Sequence, residues 1–498
     1  MSLSGDAWRE VVDDHLSCPA TLLAFRLTCR NAAFMYAPFV PSVVHENEDV
    51  VISICKKPTS GTVDEEKKLA ALKWTMNILV TAAEHRRTTT AVATALDHAA
   101  ASGHLRIVKW LHERGEKCTY RAMDRAAENG HSDVVEWLHR NRSEGCTVAA
   151  MNGAAMNGHL HVVVWLHRNR SEGCTCWAMD GAAVNGHLYV IEWLHRNRSE
   201  GCTADAMIFA ADGGRLEIVK WLHRNREYRT GGRLVLAEAM AFAARNGHLD
   251  TVKWIRDNQT EDEDIPTRSM NWAAKMGQLE VVKWLHENRK DGCSAEAMDL
   301  AAAFGHLAVV QWLHDNRTEG CTSDAMDYAA SGGHLELVKW LHENRNEGCT
   351  TDAMDDAAGS GHLEVVMWLH ENRDNRTEGC TTNAMDYAAR GGRLEVVEWL
   401  HANRTEGCTS DAMDNAAKGG HLEVVKWLHY NRKEGCTTDA MDRAAGKGHL
   451  NVVEWLHVNR TEGCTTNAMD YAARGGHLEV VEWLRTYKEK ETGIEHYI

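Results

Sequence analysis

The sequence predicts an all-α solenoid of about fourteen stacked two-helix repeats, preceded by a small helical N-terminal segment. Three observations carry that expectation. A Trp-Leu pair, once Trp-Ile, recurs fourteen times from Trp110 to Trp483. Most neighbouring copies stand 28 residues apart, and a fixed period between about 20 and 50 residues marks stacked supersecondary units. Ahead of nearly every copy lies an alanine-rich run and a Gly-His-Leu turn, as at Gly420, His421 and Leu422. A unit this short cannot bury its own apolar face, so its stability has to come from the units on either side.

Composition sets the class. The 498 residues are 44% hydrophobic and 25% charged, with only 5 prolines, which fits an ordered, mostly helical chain. The net charge of -16, from 55 Lys plus Arg against 71 Asp plus Glu, offers no positive footprint for a phosphate backbone. Nucleic acid is therefore not an expected partner. No apolar window approaches about 18 residues, and residues 1–10 are polar and acidic where a signal peptide would be basic and then apolar. The expectation is a soluble intracellular protein, cytoplasmic or nuclear, without a membrane partner.

Eleven of the 15 cysteines, from Cys118 to Cys464, hold one equivalent position per repeat. Equivalent atoms in stacked helical layers sit roughly 8–10 Å apart, beyond the Cα separation of about 7 Å that a disulfide spans. They are expected to be reduced, buried thiols. No Cys-x-x-Cys pair is present, so neither a metal nor another cofactor is expected. Sequons such as Asn141-Arg142-Ser143 recur only because the repeat does, and without a secretory signal they should be unmodified.

Residues 437–462 show how a unit is built. The run Asp439-Ala440-Met441-Asp442-Arg443-Ala444-Ala445 predicts a first helix, with Asp439 as its N-cap and Asp442 in the first turn, facing the helix dipole. Small Ala444 and Ala445 let backbones approach. Gly448 supplies the left-handed turn, and Leu450, Val453 and Leu456, widened by Val452 and Trp455, form the apolar arc of a second helix.

These residues resemble the ankyrin repeat, whose pattern runs Thr-Pro-Leu-His-x-Ala-Ala-x-x-Gly-His-Leu-Glu-Val-Val. Here Asp-Ala-Met-Asp-x-Ala-Ala-x-x-Gly-His-Leu-Glu-Val-Val occupies it, over residues 91–486. The resemblance implies an ankyrin-type helical-hairpin solenoid that binds proteins and has no catalytic residues. Two departures stand out. Thr-Pro-Leu-His is replaced throughout, and the unit is shorter than the family's, so the β-hairpin finger should shrink to a tight loop such as Thr405-Glu406-Gly407-Cys408. The period breaks between Trp221 and Trp254, where the repeat cysteine is missing and Glu261-Asp262-Glu263-Asp264 and Pro266 follow. A bend or docking loop is expected there. An extra Asp374-Asn375-Arg376 is a tolerated surface insertion.

A position that varies among otherwise near-identical units marks an exposed face. The residue after the Met-Asp pair varies most, as do the two residues before the glycine turn, three and four places on and therefore on one helix face. In an ankyrin-like stack the first helices line the concave side. The stripe they would form there comprises Phe209, Phe242, Arg245, Trp272, Lys275, Met276, Leu300, Phe304, Tyr328, Tyr387, Arg390, Tyr471 and Arg474. Aromatics beside Arg are what interface hot spots favour; the alternative is that these side chains pack between adjacent first helices. The 29 histidines recur once or twice per unit, unlike a unique catalytic constellation, and fit hydrogen bonding at turns and helix ends. The tryptophans read as core.

Residues 1–45 lack the period. Leu3, Trp8, Val12, Leu16, Pro19, Leu22, Leu23, Leu27 and Cys29 punctuate short helices that resemble an F-box, best at Arg26-Leu27-Thr28-Cys29-Arg30. In that family three short helices dock on a Skp-type adaptor of a cullin-RING ubiquitin ligase. Against the pattern, the family's Leu-Pro start is Leu3-Ser4, and its Trp near the end is Phe34. Residues 46–90 would be a linker and N-terminal capping helices, and residues 487–498 a charged tail. Taken together, the expectation is a monomeric, non-enzymatic substrate-recognition subunit that holds a target protein in its groove. The alternative is an interaction scaffold with no ligase link. An enzyme would require a pocket with unique polar groups in residues 226–268.

Overall fold

The computed structural model describes residues 90–225, 232–259, 268–288, 292–372 and 379–492. Among them are 28 α-helices in hairpin pairs, and no strand. The stack divides into two compact units. Unit 1 contains residues 1–240 and 253–263; unit 2 contains residues 241–252 and 264–498. The division falls inside two helices, Gly232–Arg245 and Leu249–Asp257, in the stretch where the period breaks.

Each hairpin follows the same local logic. Thr437 is extended, and its hydroxyl accepts from the Asp439 amide at 3.1 Å, so the helix Thr438–Gly446 starts on threonine. The expected N-cap, Asp439, is one of the donors being capped instead. Gly448, at φ +79, turns the chain, and the second helix runs Leu450–Asn459. Its end is closed by the Asn459 side-chain amide, which donates to the Trp455 carbonyl at 2.8 Å. The link to the next unit is a short turn without a strand, as the shortened repeat predicted.

Packing uses both helices. Ala440, Met441, Ala444 and Ala445 of the first helix and Val452, Val453 and Leu456 of the second are all buried. Alanine at the contact lets first helices approach closely, and within each unit they lie nearer to one another than the second helices do. The recurrent tryptophans are half-buried rather than core: twelve of the fourteen present the ring to the Trp-Leu-His imidazole of the preceding hairpin, as His314 meets Trp340 edge-on at 5.2 Å.

Candidate protein-binding face

Before the variable surface can act, the boundary between hairpins has to hold, and three side-chain devices do this. The second carboxylate of the Asp-Ala-Met-Asp run, expected to complement the dipole of its own helix, is buried and bonded to the next hairpin. Asp327 accepts from both the amide and the hydroxyl of Thr350, each at 2.8 Å, so one threonine caps its own helix and clamps the preceding one. Burial raises the Asp327 carboxyl above its ordinary value, and the Thr350 bonds offset that in part. Asn152 does the same job with Thr175, and Asn271 with Ser294.

Second, the Gly-His imidazole lies over the turn glycine of the preceding hairpin. A Cβ on Gly333 would sit 2.5 Å from His362 Nδ1. Burial lowers the ring's proton affinity at His131, His306, His362 and His449, and each hydrogen-bonds a carbonyl in the hairpin before it. Third, the loop arginine forks: Arg345 pairs with Glu347 and donates to His314 Nδ1 at 3.3 Å. The histidines thus bond at turns and helix ends as expected, but across unit boundaries. Beneath the loop, burial pushes the thiols of Cys118, Cys146, Cys174, Cys321, Cys408 and Cys436 up to about 11, which leaves them protonated. Among the described residues no group of three or more His, Cys, Asp or Glu could hold a metal ion, and no helix is long and apolar enough to cross a membrane.

The sequence-derived stripe lies on the first helices. In unit 2, Phe242 and Trp272 of successive hairpins meet edge to face at 5.5 Å, with the Arg245 guanidinium 4.7 Å over Phe242 and Arg268 5.5 Å over Trp272. Lys275 lies 5.2 Å over the Phe304 ring. Tyr387 packs against the preceding first helix where Gly359 leaves room, and Tyr471 does so at Gly446. Met276, Phe304, Tyr328, Tyr387 and Tyr471 are exposed, as are Arg390 and Arg474. Leu300 and Lys275 are half-buried. Phe209 is exposed on the first-helix face of unit 1.

Against this geometry, the family model for ankyrin repeats (many copies) matches residues 96–139, 270–314, 299–342, 354–401, 413–457 and 441–485. Those residues carry ankyrin repeats. A search of curated proteins returns no match. Among solved structures, the chain is similar to the pentatricopeptide repeat protein PPR10 from maize, at 12% identity and a TM-score of 0.31, over 98% of this chain and 78% of that one. It is similar also to PPR10 in complex with an 18-nt psaJ RNA element, at 11% identity and a TM-score of 0.36, over 98% and 84% of the two chains. Scores this low fall below those of a common fold.

The hairpins of unit 1 hold a surface feature that variation among the copies did not reveal. Trp177 is 65% exposed at a helix-start position where other copies carry Asp205, Asp324, Asp352, Asp411 or Asp439. Gly153 and Gly181 leave the same face without side chains, and Val148 and Val184 are exposed beside it. The signal was present as an aromatic among carboxylates, four residues before the position singled out. The F-box-like residues Leu3, Trp8, Val12, Leu16, Pro19, Leu22, Leu23, Leu27 and Cys29 lie outside the described residues, as do residues 226–231 and 260–267 of the irregular stretch.

Proposed function

We propose that this is a protein-binding ankyrin-repeat protein whose first-helix face holds a target protein, and that its N-terminal F-box-like segment recruits that target to a cullin-RING ubiquitin ligase through a Skp-type adaptor. The observation that carries the binding reading is the aromatic and cationic surface of unit 2. There the Phe242–Trp272 pair lies under Arg245 and Arg268, and exposed Tyr328 and Tyr387 follow in later hairpins. Rigid aromatics next to Arg bury large area at small entropic cost, the composition of a protein-binding hot spot. Interior polar groups are spent on holding hairpins together, which leaves binding rather than catalysis to the variable face.

Two measurements test the two halves. Proximity labelling in cells with the full chain should identify a set of neighbours that Trp272→Ala with Tyr328→Ala removes; an unchanged set contradicts the face. Co-precipitation with a Skp-type adaptor should be lost in Leu22→Asp with Leu27→Asp. If the wild-type chain captures no adaptor while its target set persists, the protein is an interaction scaffold without a ligase link.

A further inference from the structure

The residue that follows each Trp-Leu-His sits in the last turn of the second helix, away from the first-helix face. In unit 1 it is Glu113 and then Arg140, Arg168, Arg196 and Arg224 in four successive hairpins, all exposed. In unit 2 it is Glu287, Asp315, Glu343 and Glu371, again in four successive hairpins and all exposed, followed by uncharged Ala402, Tyr430 and Val458. Both runs advance by 28 residues at every step, so their rungs are spaced alike, about 10 Å per hairpin.

Helix stability does not explain the change of sign. A cation in the last turn complements the helix dipole, and an acid there opposes it, so local electrostatics favours Arg in every copy. The acids are not there for a partner four residues back either. Lys283 and Lys339 pair instead with Glu280 and Glu336, at 2.9 and 2.8 Å, while Asp315 and Glu371 follow Gln311 and Met367. Arg140 and Arg196 do reach Glu136 and Glu192, at 2.7 and 3.9 Å, but Arg168 and Arg224 recur where Val164 and Lys220 stand. Two equal ladders of opposite sign, one of them set against its own helices, match each other.

We propose that two copies of this chain pair through these ladders, the arginines of one copy facing the carboxylates of the other. The contact uses second helices and leaves the first-helix face free, so it stands or falls separately from the target-binding reading. Exposed ion pairs each contribute little, which sets the dissociation constant on the order of 1 mM at low salt. Raising salt toward about 1 M, where the Debye length is about 3 Å, disperses the pair. Each contact joins the unit 1 ladder of one copy to the unit 2 ladder of another.

Charge reversal on the full chain tests this by sedimentation equilibrium. One variant carries Arg140→Glu, Arg168→Glu, Arg196→Glu and Arg224→Glu; the other carries Glu287→Arg, Asp315→Arg, Glu343→Arg and Glu371→Arg. Each reversal set moves the net charge of -16 by eight, so both variants stay net negative and bulk charge provides no attraction between them. The wild type should associate at low salt, neither variant should self-associate, and an equimolar mixture of the two should associate again. Circular dichroism melts check folding, and a milder set with Gln at the four arginines should lose association as well. Wild type that stays monomeric up to about 1 mM at low salt, variants that associate undiminished, or a mixture that stays monomeric overturns the proposal. So does a monomeric wild type whose Arg ladder binds heparin, which would assign that ladder to a foreign polyanion.

Discussion

Between Asp299 and Thr465 every hairpin is tied to the next by a buried carboxylate that takes two bonds from the following threonine, whereas in the helices Ala204–Asp212 and Gly232–Arg245 that carboxylate is replaced by Ile208 and Ala241. The turn histidine changes in the same stretch, to Arg215 and then Gln278 on either side of His248. Apolar burial continues through both regions: Leu222 and Ile255 are as buried as Leu341 and Leu369. Cohesion in the stack therefore has two separable parts, an apolar part present everywhere and a polar clamp confined to the regular hairpins. It is where the clamp is missing that the molecule divides into two units.

The largest expected effect should not distinguish the regions. Leu369→Ala and Leu222→Ala each remove a side chain with almost no exposure, and both should cost about 2–5 kcal/mol in urea unfolding. A much smaller loss at Leu222 would break the claim that apolar packing is continuous. Next comes the clamp. Asp327→Ala leaves the Thr350 amide and hydroxyl without their acceptor and should cost about 1–3 kcal/mol. Asp327→Asn should lose little or nothing near neutral pH, because Asn152 and Asn271 already fill this role and because a carboxyl with a raised folded value loses stability as pH rises through that value.

Acid should sharpen the contrast further. His131, His159, His187, His306, His362 and His449 are held below 6.5, mainly by burial, so their contribution is complete above 6.5 and is lost as pH falls through the lowered values. Two turns of the irregular stretch carry Arg215 and Gln278 in place of this histidine. Hydrogen exchange measured about one pH unit below 6.5 should show protection lost first around the histidine turns, and uniform loss would contradict the assignment. The smallest effect belongs to the exposed Glu336–Lys339 pair: Lys339→Ala should change stability by less than about 0.5 kcal/mol.

Much of this was legible in the chain because the repeat reports itself. Trp, Gly and the Ala pair fall at positions where only a helical hairpin explains all three, and the shortened link followed from the 28-residue period. The clamp was not legible. Asp442 in a first turn reads as a dipole partner, and its true partner, Thr465, lies 23 residues away in the next hairpin. Thr437 and Asp439 are both good capping residues, and only the observed hydrogen bond separates them. On the binding face, variation among copies located Tyr328 and Tyr387, but it overlooked Trp177, which varies at a different position of the same helix.

A double-mutant cycle on Asp327 and Thr350 tests the clamp most directly. Asp327→Ala, Thr350→Ala and the double variant should give a coupling free energy of about 1 kcal/mol or more in equilibrium unfolding, since the two side chains act as one unit across a hairpin boundary. Losses that simply add would show that the boundary is held by apolar packing alone.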